Sequence, residues 1–319
     1  MLLKAFFHLM SPAGARARLS VLIFHRVLPE PDPLFPDEMH ARRFDVLCGW
    51  LTSWFKVLPL DEAVARLKAG TLPARAVCIT FDDGYADNHH VALPILRRHG
   101  LVATFFIATG FLDGGRMWND TVIEAIRACK MPELDLSSLS LGHHALHSVG
   151  ERRAAIAAII DQIKYRPVGE RITATEQVAR LCQVEPPDDL MMTSREVKAM
   201  RQAGMQIGAH TVSHPILARL TPDKARQEIQ ASKDFLEQLL GEPVRVFAYP
   251  NGKPGEDYTP QSVQVVRELG FDAAVCTSWG ASGVVDDQFQ IRRFTPWDRT
   301  RLRFGVRMLA NLRSPRVMA

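Results

Sequence analysis

Seven short apolar runs, rich in β-branched and aromatic residues, recur along this 319-residue chain, and most are separated by longer stretches of helical periodicity. The runs are SVLIFH (20–25), FKVLPL (55–60), AVCITF (76–81), VATFFIA (102–108), MQIGAH (205–210), VRVFAY (244–249) and DAAVCT (272–277). Between them lie amphipathic stretches such as LDEAVARLKAG, VALPILRRHG, SREVKAMRQAG, KARQEIQASKDFLEQLLG and SVQVVRELG. Each closes on glycine, which takes the left-handed backbone of a helix C-terminus without strain. Two parallel strands need a crossover between them, and a helix supplies it. The alternation therefore predicts parallel βα units, and the length suits a single α/β domain of about 200–300 residues.

One segment breaks the rhythm. Residues 113–190 hold MWNDTVIEAIRACK, a polar His/Ser stretch and ERRAAIAAIIDQIKY, and they read as a helical insertion within the same domain. The expected organisation is a basic and apolar segment over 1–19, a barrel over 20–298 and a basic tail over 299–319. The formal charge of +4 is unevenly placed: from Arg292 onward eight arginines face one acid, Asp298. Residues 1–19 carry Lys4, Arg16 and Arg18 and no acid. Both ends could touch anionic headgroups as interfacial helices do, although a solvated helix with one apolar packing face is the plainer expectation. No motif points to nucleic acid. The start is too short and too interrupted for a signal peptide, and no run approaches a membrane span. Five scattered cysteines without a CxxC argue against a disulfide framework. Cytoplasm is the expected compartment, with the inner membrane face as a contact.

In parallel βα barrels the reacting side chains come from the C-terminal ends of several strands. Here four predicted strand ends carry such groups: His25, Asp82-Asp83, His210 and Tyr249-Pro250. His210 and His214, four apart, can face one ion from a single turn. Two imidazoles and one carboxylate form a common catalytic metal set that leaves room for water. A cation would offset the repulsion between adjacent aspartates, with one as ligand and the other free as a base. Taken singly, Asp-Asp-Gly is a turn, His-x-x-x-His an ordinary pair and His25 a core histidine. Their joint placement at strand ends is what singles them out. His143, His144 and His147 read as a surface loop of the insertion, His89, His90 and His99 as residues flanking a helix, and Asp286-Asp287 as a turn.

These residues resemble the polysaccharide deacetylases of the NodB-homology type. TFDDGY is similar to the first motif of that family and HTVSHP to its second. FAYPNG resembles the third motif of a subgroup in which Tyr-Pro replaces Arg-Pro-Pro, and LIFHRV resembles the opening strand of that permuted subgroup. The resemblance implies a distorted (β/α)7 barrel, with Asp83, His210 and His214 binding a divalent metal, often zinc. It implies Asp82 as general base and His25 as the acid that protonates the departing amine. Pro250 lacks an N–H, so Asn251 is the first backbone donor after Tyr249-Pro250 and is placed to hold an oxyanion. The chain departs from the pattern in three ways. The third-motif arginine that orients the catalytic aspartate has no counterpart in FAYPNG, no fourth motif is evident, and no late Leu-x-x-His follows.

The function expected is metal-dependent removal of N-acetyl groups from an amino sugar in a polysaccharide or glycolipid. Two other readings stand beside it. Two histidines and a carboxylate also hold non-haem Fe(II) for oxygen chemistry, and a carbohydrate-binding or assembly protein could keep the barrel without the chemistry.

Overall fold

The computed structural model describes residues 2–314. Among these residues, seven parallel strands close into a ring: β1 (Ser20–Phe24), β3 (Ala76–Phe81), β4 (Thr104–Ile107), β7 (Gln206–Ala209), β8 (Val246–Ala248), β9 (Ala273–Trp279) and β10 (Ile291–Phe294). Closure comes from β1, which pairs with β3 through Ser20↔Val77 to Phe24↔Phe81 and with β10 through Val21↔Arg293. The (β/α)7 barrel is thus as expected, but its membership differs by one strand. The 55–60 run supplies only β2 (Lys56–Val57), which pairs with β3 outside the ring. The seventh place is taken by β10, whose IRRF sequence carries two arginines and lacks the apolar signature of a buried strand.

The barrel excludes water on both faces. Alternate residues point inward, and Val21, Cys78, Phe106, Val246, Val275 and Ile291 share one apolar cluster with Leu60, Val64 and Leu67 of α3 (Leu60–Lys68). The N–H of Leu60 donates to the side chain of Gln206, the first residue of β7, so α3 closes the end of the ring where the strands begin. The outward residues, among them Phe24, Phe81, Phe105 and Phe247, form the larger core. That core lies beneath α2 (Ala41–Trp54), α4 (Leu93–Arg98), α8 (Ser194–Gln202), α9 (Pro222–Leu240), α10 (Pro260–Glu268) and α11 (Arg301–Arg313). Phe81 stacks between Phe24 and Phe105 at centroid distances of 5.1 and 4.8 Å, and Phe44 of α2 meets it edge-on. The N-terminal helix α1 (Leu2–Met10) buries Phe7 against Trp54 and Phe55, and α11 buries Phe304, Met308 and Leu312. Residues 301–313 are therefore part of the barrel's outer layer.

The insertion forms a second compact unit, Asp113–Met191 together with Pro31–Glu38 from the loop after β1. It comprises α5 (Trp118–Ala128), α6 (Val149–Ile163), α7 (Val168–Leu181) and a hairpin of β5 (Glu133–Asp135) and β6 (His143–Ala145). Its own core is built from residues such as Val122, Ile126, Leu134, Ile156, Ile159 and Val178. His143 and His144 lie on β6, where His143 faces Asp135 at 3.2 Å. All five cysteines are free and buried. No described helix is long and apolar enough to cross a membrane.

One interior contact tests this packing. Gly208 of β7 is in register with Phe106 of β4, and a Cβ at Gly208 would lie 2.5 Å from the Phe106 ring. Gly208→Val should therefore destabilise the barrel by about 1–3 kcal/mol in urea unfolding, as overpacked cores do. Pairing it with Phe106→Ala should recover part of that loss.

Candidate metal centre and catalytic carboxylate

The doubled aspartate sits at the open end of the ring, directly after β3. The inward alternation of Cys78 and Thr80 continues to Asp82, whose N–H donates to Phe24 O at 2.9 Å and ties the ends of β1 and β3 together. Asp82 is met inside the barrel by Arg293 of β10. Arg293 Nη1 donates to Oδ1 and Nη2 to Oδ2, each at 2.7 Å, and both side chains are almost wholly buried. Nε of the same guanidinium donates to Cys276 O at 3.0 Å. Burial, the largest single influence, would raise the Asp82 pKa, but the charge and hydrogen bonds of Arg293 together with the charges of His210 and His25 outweigh it and hold the carboxyl below the usual range. A depressed carboxylate pKa stabilises the fold above the unfolded value of about 3.9, and that stability is lost as pH falls through the folded value.

Asp83 turns the other way. Its φ of 75° is left-handed, a conformation that Asp tolerates better than most residues, and it aims the side chain at the loop after β7. Oδ1 of Asp83 lies 3.4 Å from His210 Nε2 and 3.4 Å from His214 Nε2. At that distance an N–H···O bond would be long, and Oδ1 is a buried oxygen with no hydrogen-bond partner among the described residues. Four ligand atoms arranged tetrahedrally around zinc at about 2.0–2.1 Å lie about 3.3 Å apart. The spacing and the orphaned oxygen both fit a divalent cation.

The two imidazoles differ in their electrostatics. His210 Nδ1 contacts Ala248 O at 2.8 Å; as the donor there, it leaves the Nε2 lone pair facing Asp83. Burial pushes the His214 pKa down to about 4, so its ring is neutral at neutral pH. Burial also disfavours charge on His210, yet Asp83 and Asp82 together raise its pKa. Burial likewise opposes charge on Asp83, but the imidazoles of His210, His214 and His25 hold its carboxyl well below the usual range.

Residues outside the sequence motifs fix this geometry. Glu228 of α9 accepts from the backbone N–H groups of Val212 and Ser213, both at 2.9 Å, and from Ser213 Oγ at 2.7 Å. It thereby clamps the loop between the two histidines, where Thr211 and His214 have φ of 65° and 50°. Such conformations persist only where the surroundings over-determine them. Asp87 and Asn88 hold the end of β1: Asp87 accepts from Val27 N at 3.0 Å and Arg26 Nε at 2.7 Å, and Asn88 Nδ2 donates to His25 O at 2.9 Å. Of these residues, Asp87 and Asn88 follow TFDDGY closely, whereas Glu228 and Arg293 carry no local signal.

The other sequence candidates fall out unevenly. His25 stands exposed at the rim, close enough for its charge to act on Asp82, Asp83 and His214. Asn251, with φ of 59°, follows Pro250 after β8, and no hydrogen bond to its N–H is found among the described residues. The expectation that Tyr249 lines the site needs correction. Its side chain points outward into the helix layer, is fully buried and stacks on Tyr258 at 3.9 Å. Strand alternation explains this, since Ala248 belongs to the interior cluster and its neighbour must face out. FAYPNG holds no arginine, as its sequence says, and Arg293 reaches Asp82 from a different strand instead. His89 and His90 adjoin Glu196, with His90 Nε2 at 2.7 Å, and take no part in this centre.

Removing Arg293 leaves Asp82 buried and unpaired. Arg293→Met should cost about 3–5 kcal/mol in denaturant unfolding at neutral pH, and the loss should shrink as the medium is acidified and Asp82 protonates. Arg293→Met combined with Asp82→Asn should be more stable than Arg293→Met alone.

Comparison with known proteins agrees with this geometry. A family model described as polysaccharide deacetylase matches residues 69–274. A putative polysaccharide deacetylase, YxkH, of Bacillus subtilis is 21% identical over 279 residues, covering 87% of this chain and 71% of the relative. A poly-beta-1,6-N-acetyl-D-glucosamine N-deacetylase of Staphylococcus aureus is 31% identical over 110 residues, which is 34% of this chain and 38% of that enzyme. Among solved structures, the Streptococcus pyogenes deacetylase PplD in complex with acetate superposes with a TM-score of 0.61 at 19% identity, covering 94% of this chain and 99% of that one. IcaB from Ammonifex degensii gives 0.60 at 19% identity, covering 95% and 99%. The family match spans well over half of the chain and includes the two aspartates and both histidines, so this chain belongs to the polysaccharide deacetylase family.

Proposed function

We propose that this deacetylase is metal-dependent and hydrolyses the acetamido group of an N-acetylated amino sugar within a glycan or glycolipid. The observation that carries the proposal is one buried, unpartnered carboxylate oxygen equidistant from two imidazole nitrogens, beside a second carboxylate locked by arginine. Asp83, His210 and His214 would hold the cation, and zinc suits that donor set. When bound, a divalent cation lowers the pKa of water and polarises a carbonyl.

The remaining chemistry belongs to the chain. Asp82 is ionised and fixed by two hydrogen bonds, so it takes a proton from the attacking water with little reorganisation. Arg293 makes it a weak base, which would suit a water whose pKa a bound cation lowers. Oxygen bonds to the acetyl carbon, the C–N bond breaks, and the leaving nitrogen takes a proton from His25. Asn251 N–H has no acceptor among the described residues, and it is the donor placed to reach the oxyanion. Products are acetate and the free amino sugar.

The non-catalytic reading drew its support from the missing third-motif arginine and the missing late histidine; the pairing of Arg293 with Asp82 weighs against the first ground, and His25 takes the acid role in place of the second. The name of the S. aureus relative supports a hexosamine polymer as substrate class.

Acetate release from a panel of N-acetylated oligosaccharides, before and after chelation, tests this reading. Chelation should abolish release and added zinc should restore it. Asp82→Asn should lose at least about 100-fold in rate while retaining metal, His210→Ala should lose the metal as well, and His25→Ala should fall about 100-fold with metal retained. Release that survives chelation would sink the proposal.

A further inference from the structure

A second feature lies away from this centre, on the outer face of α1 and α11. Among the described residues, fourteen large apolar side chains stand exposed, and five of them cluster on these two helices and the loop before α11. They are Phe6 (51%), Leu9 (74%), Trp297 (61%), Leu302 (67%) and Val306 (54%). The helices share a seam: Gly305 of α11 approaches Leu3 of α1 so closely that a Cβ there would lie 3.0 Å from it. Leu3 and Phe6 occupy one side of α1, while Leu302, Gly305 and Val306 occupy one side of α11, so the exposed Phe6, Leu302 and Val306 flank that seam.

The charge on this face has one sign. Neither helix contains an acidic residue. Arg307 is paired with Asp298, and Arg301 donates to Ser53 and stacks on Trp54. Lys4, Arg303 and Arg313 are exposed without an acidic partner among the described residues. A second copy of this chain docked on the face would set cations against identical cations with no acid on either helix to offset them. An anionic surface that also accepts apolar side chains satisfies both halves of the pattern, and a phospholipid headgroup layer is such a surface.

We propose that α1 and α11 form a peripheral membrane-binding face, lying flat on an anionic phospholipid bilayer. Phe6, Leu9, Leu302 and Val306 enter the headgroup boundary, and Arg303 and Arg313 meet lipid phosphates. The face requires no catalysis, so it stands apart from the deacetylase reading.

Co-sedimentation of the full chain with phosphatidylglycerol or phosphatidylcholine vesicles tests it. Binding should be strong on phosphatidylglycerol, roughly tenfold or more weaker on phosphatidylcholine, and should fall with added salt. Arg303→Gln with Arg313→Gln should weaken binding about thirtyfold. Phe6→Ser with Leu302→Ser should weaken it roughly tenfold on the same vesicles, with unchanged circular dichroism and unchanged acetate release from a soluble substrate. Equal binding to both vesicles, no binding, or wild-type binding by both variants would overturn the proposal. So would a solution dimer abolished by Phe6→Ser with Leu302→Ser, which would make the face a self-association surface.

Discussion

The centre depends on an ion pair enclosed by the barrel. A carboxylate and a guanidinium buried together are tolerable only when their hydrogen bonds are satisfied, and Asp82 with Arg293 meets that condition on both oxygens. Because Arg293 also holds Cys276 O, the guanidinium joins β10, β9 and the end of β3. The pair fixes the first aspartate, while its neighbour Asp83 takes a left-handed backbone and faces His210 and His214. Two adjacent acids thereby acquire separate environments, one facing arginine and one facing imidazole. Different environments for like groups are what allow different roles.

Much of the architecture was legible because burial leaves a pattern. Six of the ring's seven strands announce themselves as apolar runs, since parallel strands are covered on both faces. The seventh does not. In IRRF the inward position that would ordinarily be aliphatic is Arg293, so the residue that completes the site also removes the signal of its own strand. Chain order places a motif-three arginine near FAYPNG, but spatial neighbourhood in a closed ring is wider than sequence neighbourhood. Glu228 was illegible for a related reason: a glutamate on an amphipathic helix reads as solvent-facing until a loop from elsewhere is found against it.

The candidate metal ligands are legible because short spacings encode geometry. Four residues from His210 to His214 and adjacency at Asp82-Asp83 leave few arrangements. Tyr249 shows the limit of the same logic. A strand end supplies backbone to a site regardless of register, whereas its side chain obeys the pleat, and here the pleat sends the ring outward onto Tyr258.

Ring closure has a consequence for how such a chain can be ordered. β1 is hydrogen-bonded to β3 on one side and to β10 on the other, so the circle itself has no first member. His25 would occupy the same rim position whether its strand were synthesised before the others or after them. A recombination event that moved this strand from one terminus to the other would leave the arrangement in space untouched while rewriting every motif's place along the gene.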